Sequence, residues 1–175
     1  MNESLDQREV DRFDGIAEEW WDRDGKFKPL HKLNPARILY IREQFITHFA
    51  RNSSSHEPLA NLDIADIGCG GGLIAEPLTR LGARVTGIDP SAESIAAATR
   101  HAEFGGLDIE YIHGTAEEVA AHGRRFDGVL ALEVIEHARD PAAFIATCKS
   151  LMKPGGLLVL STLNRTAKSF ALGIV

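Results

Sequence analysis

The chain has 175 residues, a length suited to one domain with a sizeable core. Apolar residues make up 44% and charged residues 25%, which excludes a disordered or low-complexity protein. The net charge of −6 argues against a nucleic-acid partner, because phosphate neutralisation needs clustered cations.

The acidity is local: residues 1–24 hold nine acids and three bases. That acid-rich start has no apolar core, so it reads as neither a secretory signal nor a transit peptide. No apolar run is long enough to span a bilayer. Cys69 and Cys148 make neither a disulfide framework nor a four-cysteine zinc site, and a reduced, intracellular compartment is the simplest reading.

In chain order, residues 4–23 predict an amphipathic helix, with Ser4 and Gln7 as a capping box and Phe13, Ile16 and Trp20 at helical spacing. Gly25 and Pro29 break that pattern. Asn34 and Pro35 predict the N-cap and first residue of a helix running to about Phe49. A polar connection over 51–61 follows. Residues 62–67 read as a buried strand, 68–72 as a glycine loop, and 73–81 as a helix stopped by Gly82. Residues 84–89 read as a second strand, and Ser91 caps a helix to about Phe104. A third strand spans 108–113, and Thr115 with Glu118 forms a capping box. Residues 126–132 give a fourth strand. Asp140 and Pro141 open a helix to about Met152, residues 153–156 a turn, and 157–163 a fifth strand. Strands alternating with helices imply an α/β, mostly parallel sheet with helices on both faces. We expect residues 1–52 to form an N-terminal helical cap on a Rossmann-like unit of residues 53–175, as one structural unit.

The sequence Asp-Ile-Gly-Cys-Gly-Gly-Gly at 66–72 joins a strand to a helix. Glycines there let the backbone approach a ligand. Asp89 ends the second strand, 21 residues after Gly68, where an acid can bind both ribose hydroxyls of a nucleoside cofactor. A tight turn at the glycines and a helix-capping role for Asp89 are the structural alternatives. Leu73 occupies the sixth position from Gly68, so the dinucleotide G-x-G-x-x-G fingerprint fails.

The spacing G-x-G-x-G after Asp66 instead resembles the first motif of class I S-adenosylmethionine-dependent methyltransferases. Residues 27–37, 66–72, 132–137 and 161–165 together resemble the ubiquinone-biosynthesis O-methyltransferase family. The resemblance runs from about Phe13 to the last residue. It implies methylation of phenol or catechol hydroxyls on polyprenylated rings, at two steps of ubiquinone biosynthesis, with S-adenosylhomocysteine as product. It implies that Arg37 contacts the cofactor carboxylate, that Asp66 lies near the methionine end, and that Asp89 holds the ribose. Gly68 and Gly70 border the cofactor, and Leu132, Ala116 and Glu117 lie in its adenosine region. The family fold has seven strands in the order 3-2-1-4-5-7-6, so the last two strands are expected to be missing here. It also implies a membrane-contacting lid at residues 168–175, a cytoplasmic enzyme peripheral to the inner membrane, and a ubiquinone-biosynthesis complex as a further partner.

Glu133, Glu136 and His137 share one face if helical, and follow strand four at the ligand-binding edge. Two carboxylates and an imidazole suit a divalent cation such as Mg, which would acidify a bound catechol hydroxyl. His137 as general base beside a carboxylate such as Glu133 is the metal-free reading, and a solvated helix start the bland one. Trp20 and Trp21 either roof the site or pack the N-terminal helix, and Cys69 reads as a packing residue. The competing functions are an NAD-dependent oxidoreductase and a nucleoside-binding, non-catalytic subunit.

Overall fold

The structure, a computed structural model, describes residues 17–162. Among them five strands alternate with helices: α1 (Lys28–His48), β1 (Asp63–Ile67), α2 (Ala75–Arg80), β2 (Arg84–Asp89), α3 (Ala92–Phe104), β3 (Glu110–His113), α4 (Ala116–Ala121), β4 (Phe126–Leu132), α5 (Pro141–Ser150) and β5 (Met152–Ser161). The strands pair in parallel in the order β3-β2-β1-β4-β5.

Side chains alternate across a sheet with period two, and both faces are used here. Ile64, Val85, Leu130 and Val159 share one apolar cluster with Ile41 and Phe45 of α1 and Leu78 of α2. Ala65, Ile67, Ile88, Val129 and Ala131 share another with Val119 of α4 and Phe144 and Cys148 of α5. β4 and the second half of β5 are accordingly near-continuous apolar runs rather than alternating ones. Each large aliphatic side chain buried this way contributes roughly 1.5–3 kcal/mol.

The strand starts are tied by charge. Asp63 accepts from Arg84 Nε at 2.7 Å and from Lys153 Nζ at 2.6 Å, and Lys153 also reaches Asp127 at 2.9 Å. Arg84, then Lys153, hold the Asp63 carboxyl below its ordinary range. This network joins β1, β2, β4 and β5 at one end and leaves their carboxyl ends to the loops that carry the site.

Local signals are followed closely at three points. Ser91 caps α3 by accepting from Ser94 N, Thr115 and Glu118 form the reciprocal capping box of α4, and Asp140 caps α5. Others are overridden. Of the helix expected over 4–23, residues 4–16 lie outside the described part. Residues 17–23 hold only a 3₁₀ turn at Ala17–Glu19 followed by turns. Two indole anchors described below draw this stretch onto the glycine loop instead. α1 starts at Lys28, with Pro29 in its first turn and Pro35 inside the helix. Pro29 takes the place predicted for Pro35, since a first-turn proline gives up no helical bond. The Asn34 side chain does not cap, and its Nδ2 donates to Leu73 O at 3.3 Å. The turn predicted at 153–156 lies inside β5, as an irregularity where pairing passes from Phe126–Met152 to Gly128–Leu157. The predicted tail segment 168–175 lies outside the described residues.

Candidate functional site

A cavity of about 180 Å³ opens at the carboxyl ends of β1, β2 and β4. An open α/β sheet places its ligands there. Asp66 and the glycine loop form its floor, Asp89 one wall, and Leu132 and Glu133 another. Leu30, Asn34 and Arg37 reach in from α1, Trp20 from the segment before it, and Ala116 and Glu117 from the start of α4. Gly68, Gly70 and His137 border it too, so every residue predicted to hold the cofactor meets at one place. Glu136 does not line the cavity, and its Oε2 accepts from Thr162 Oγ1 at 2.9 Å.

The glycine loop is shaped by what lies behind it. Gly68 has φ +68°, and a Cβ there would run into Val134. Gly70 has φ +50°, and a Cβ there would strike the Trp20 indole. Gly70 N–H donates to Asp89 Oδ2 at 2.8 Å, and Ser91 N–H donates to Asp89 Oδ1 at 2.9 Å. The carboxylate of Asp89 is thus aimed by two backbone donors from two different loops.

Asp66 is different. It is buried, and its Oδ2 has no hydrogen-bond partner. A buried, unmet carboxylate oxygen is costly unless protonated or matched by a cation. Burial first, and Asp89 second, push its pKa up to about 7. The proton count gives the sign of the effect. The native state holds a proton that the unfolded chain, at 3.8, releases. Asp66 therefore stabilises the unliganded fold below pH 3.8, and this contribution is lost as pH rises to about 7. Asp66→Asn should flatten the fall in unfolding free energy across that window, as denaturant titrations at several pH values would show. An unchanged slope would refute the assignment.

Arg37 and Glu133 form the third feature. Arg37 Nη2 donates to Glu133 Oε1 at 2.7 Å, across 96 residues of sequence. The side chains are 13% and 23% exposed, dry enough for the pair to count. Ser161 Oγ donates to the same Oε1 at 2.9 Å, and Glu133 Oε2 is buried without a partner. Glu133 sits at φ +57°, a strained value for a residue with a side chain, where β4 ends.

That backbone breaks the predicted helical face. The 3₁₀ turn begins at Ile135, after Glu133, so Glu133, Glu136 and His137 do not share a helix. Glu133 is held by Arg37 and Ser161, and Glu136 by Thr162. Among the described residues no three His, Cys, Asp or Glu are gathered to hold a metal ion. The predicted triplet does not fit a divalent cation in this geometry.

Cys69 is buried in the loop, and burial with Asp89 and Asp66 nearby holds its thiol protonated. It is no nucleophile. Trp20, expected either to roof the site or to pack the N-terminal helix, lines the cavity, and sequence reasoning missed Ser94 as its partner. Trp20 Nε1 donates to Ser94 Oγ at 3.1 Å, 74 residues away, a contact with no local signature.

The family model described as a methyltransferase domain matches residues 65–160. The ubiquinone biosynthesis O-methyltransferase of Cereibacter sphaeroides is 52% identical over 172 residues, which are 98% of this chain and 70% of that protein. The protein of the same description from Dinoroseobacter shibae is 50% identical over 173 residues, 99% of this chain and 70% of its own. Among solved structures, magnesium protoporphyrin IX methyltransferase from Synechocystis PCC 6803 with bound SAH matches with TM-score 0.73 and 23% identity. The match covers 95% of this chain and 76% of that one, and shows a shared fold.

Proposed function

The chain belongs to the ubiquinone biosynthesis O-methyltransferase family, and we propose that it methylates a phenol or catechol oxygen on a polyprenylated ubiquinone precursor, with S-adenosylmethionine as donor. The observation that carries this reading is the set of charges around one cavity. Asp66 offers an unmet acceptor, Asp89 an aimed carboxylate, and Arg37 a guanidinium. An amino acid joined to a nucleoside needs those three groups, for its ammonium, ribose hydroxyls and carboxylate. Ile67, Ile88 and Leu132 supply apolar wall for the base. The residues therefore fit the cofactor.

S-adenosylmethionine, when bound, supplies a methyl group activated by a positive sulfur. This chain's residues bind it, orient it and keep water away. His137, which borders the cavity, accepts the proton of the substrate hydroxyl, and Glu133 at the same wall supports it. No step runs through a metal. Leu73 stands where a dinucleotide site carries its third glycine, the one that lets helix and strand pack closely, and its side chain instead joins an apolar cluster with Trp20 and Ala97. The oxidoreductase and the non-catalytic subunit find no support among the relatives.

The substrate's prenyl chain belongs in a bilayer, so peripheral contact with the inner membrane and a place in a ubiquinone-biosynthesis complex are part of the proposal. Among the described residues no helix is long and apolar enough to cross a membrane. α1, which lines the cavity, exposes Leu33, Leu39 and Tyr40, a surface suited to interfacial contact.

The test is calorimetric titration with S-adenosylhomocysteine, with NAD as control, followed by methyl transfer to a prenylated catechol. Micromolar binding of the first ligand alone is expected. His137→Ala should lower turnover by about 10²–10⁴-fold while S-adenosylhomocysteine still binds. Binding of NAD, or no binding of the homocysteine ligand by a folded sample, would overturn the reading.

A further inference from the structure

Residues 17–27 are attached to the sheet domain through aromatic side chains. Trp20 lies over Gly70 and Gly71, so closely that a Cβ on either glycine would collide with its ring. It stacks on Phe27 with ring centres 3.8 Å apart. Trp21 Nε1 donates to Gly71 O at 2.9 Å, and its ring stacks on His101 of α3, centre to centre 3.4 Å. The stretch is a strap seated on the glycine loop.

The strap is also wired to Asp89. Trp20 Nε1 donates to Ser94 Oγ at 3.1 Å. Ser91 Oγ donates to Ser94 Oγ at 2.8 Å, and Ser94 N–H donates back to Ser91 Oγ at 3.0 Å. Ser91 N–H then donates to Asp89 Oδ1 at 2.9 Å. Ser91 and Ser94 are each 1% exposed, so water cannot substitute for a lost member of this chain. The second oxygen of Asp89 takes Gly70 N–H, and Gly70 lies under the same indole. Trp20 thus touches both supports of the carboxylate, one by hydrogen bonds and one by contact.

Resting on the cofactor reading above, we propose that Trp20 is a positioning residue for Asp89, acting through Ser94 and Ser91, and that seating of the strap is coupled to the binding of a nucleoside's ribose diol. The indole N–H fixes Ser94, Ser94 fixes Ser91, and Ser91 aims the carboxylate. A ligand whose diol holds Asp89 in that orientation holds the strap down, and a lifted strap loosens the grip on the diol. The exchange is reciprocal, as linkage requires.

The experiment is a mutant cycle on the full chain, read by calorimetry with S-adenosylhomocysteine. Trp20→Phe keeps the ring and removes the N–H. Ser94→Ala keeps the indole and removes its acceptor. Each should weaken binding about tenfold, a loss of about 1.4 kcal/mol that one buried hydrogen bond can account for. The double variant should be no weaker than either single one, because both cut the same chain. Adenosine, competed against S-adenosylhomocysteine, should lose affinity in both variants, while 2′,3′-dideoxyadenosine should not. A double variant about a hundredfold weaker would overturn the relay, as would equal losses for the two nucleosides or no loss at all. If the unaltered protein binds no S-adenosylhomocysteine, the cofactor reading falls, and this inference with it.

Discussion

Arg37→Met is expected to weaken S-adenosylhomocysteine binding by about tenfold to a hundredfold, and to lower stability at the same time. The binding loss follows from removing the cation proposed above to meet the cofactor's carboxylate, a charge-assisted contact of about 1.5–3 kcal/mol. The stability loss has a separate origin. Glu133 Oε1 keeps only the Ser161 hydroxyl, and Oε2 already lacks a partner. A charge left in a part-buried site without its counter-ion costs more than the pair was worth intact. At 13% and 23% exposure, a figure of about 2 kcal/mol is reasonable. Adding Glu133→Gln to Arg37→Met should restore most of the stability and none of the binding. Denaturant unfolding and calorimetry on the single and double variants would separate the two effects. Recovery of both together would mean that Arg37 acts only as a structural bolt.

The second large effect is expected at Phe45. This ring is fully buried in α1 and packs over β4, where a Cβ on Gly128 would collide with it. Phe45→Ala removes the ring and leaves a cavity between helix and sheet, at about 3–5 kcal/mol. Against a total stability of roughly 5–15 kcal/mol, this brings the fold near its limit. The melting temperature should fall by about 10 °C for a domain of this size. Gly128→Ala should also destabilise, through the opposite fault of too little room. Combined with Phe45→Leu, it should cost less than the two changes summed, because the smaller side chain makes space for the new methyl. Additive losses would show that the ring and the glycine are not in direct register.

The parts that were legible in sequence have short-range causes. β2 and β4 begin and end at the residues predicted, and Ser91, Thr115 and Asp140 cap helices through partners two or three residues away. Asp66, the glycines and Asp89 were legible because a strand-to-loop-to-helix unit places them by itself. The errors arise where distant contacts decide. Trp20 fits a helical pattern, but its indole N–H and that of Trp21 find acceptors 74 and 50 residues away, and the helix gives way. Asn34 and Pro35 look like a helix start, yet Pro29 holds that position and the Asn34 amide has business with Leu73. Glu133 has no glycine's freedom at φ +57°, so nothing local predicts its turn. It is held there by Arg37 and Ser161, and the metal triplet inferred from spacing is undone by that turn. Lys153 belongs to a strand because Asp63 and Asp127 lie beside it, a pairing that the turn-like run over 153–156 conceals.

The chain contains two tryptophans, Trp20 and Trp21, side by side on the strap. One is stacked on Phe27 and hydrogen-bonded to a serine, the other stacked face to face on an imidazole. Excited at wavelengths that tyrosine does not absorb, these 175 residues therefore emit from a single patch at the mouth of the cavity. Its colour and lifetime are a built-in optical gauge of that patch, with no label attached. A rapid-mixing trace of this emission would time the arrival and departure of ligand.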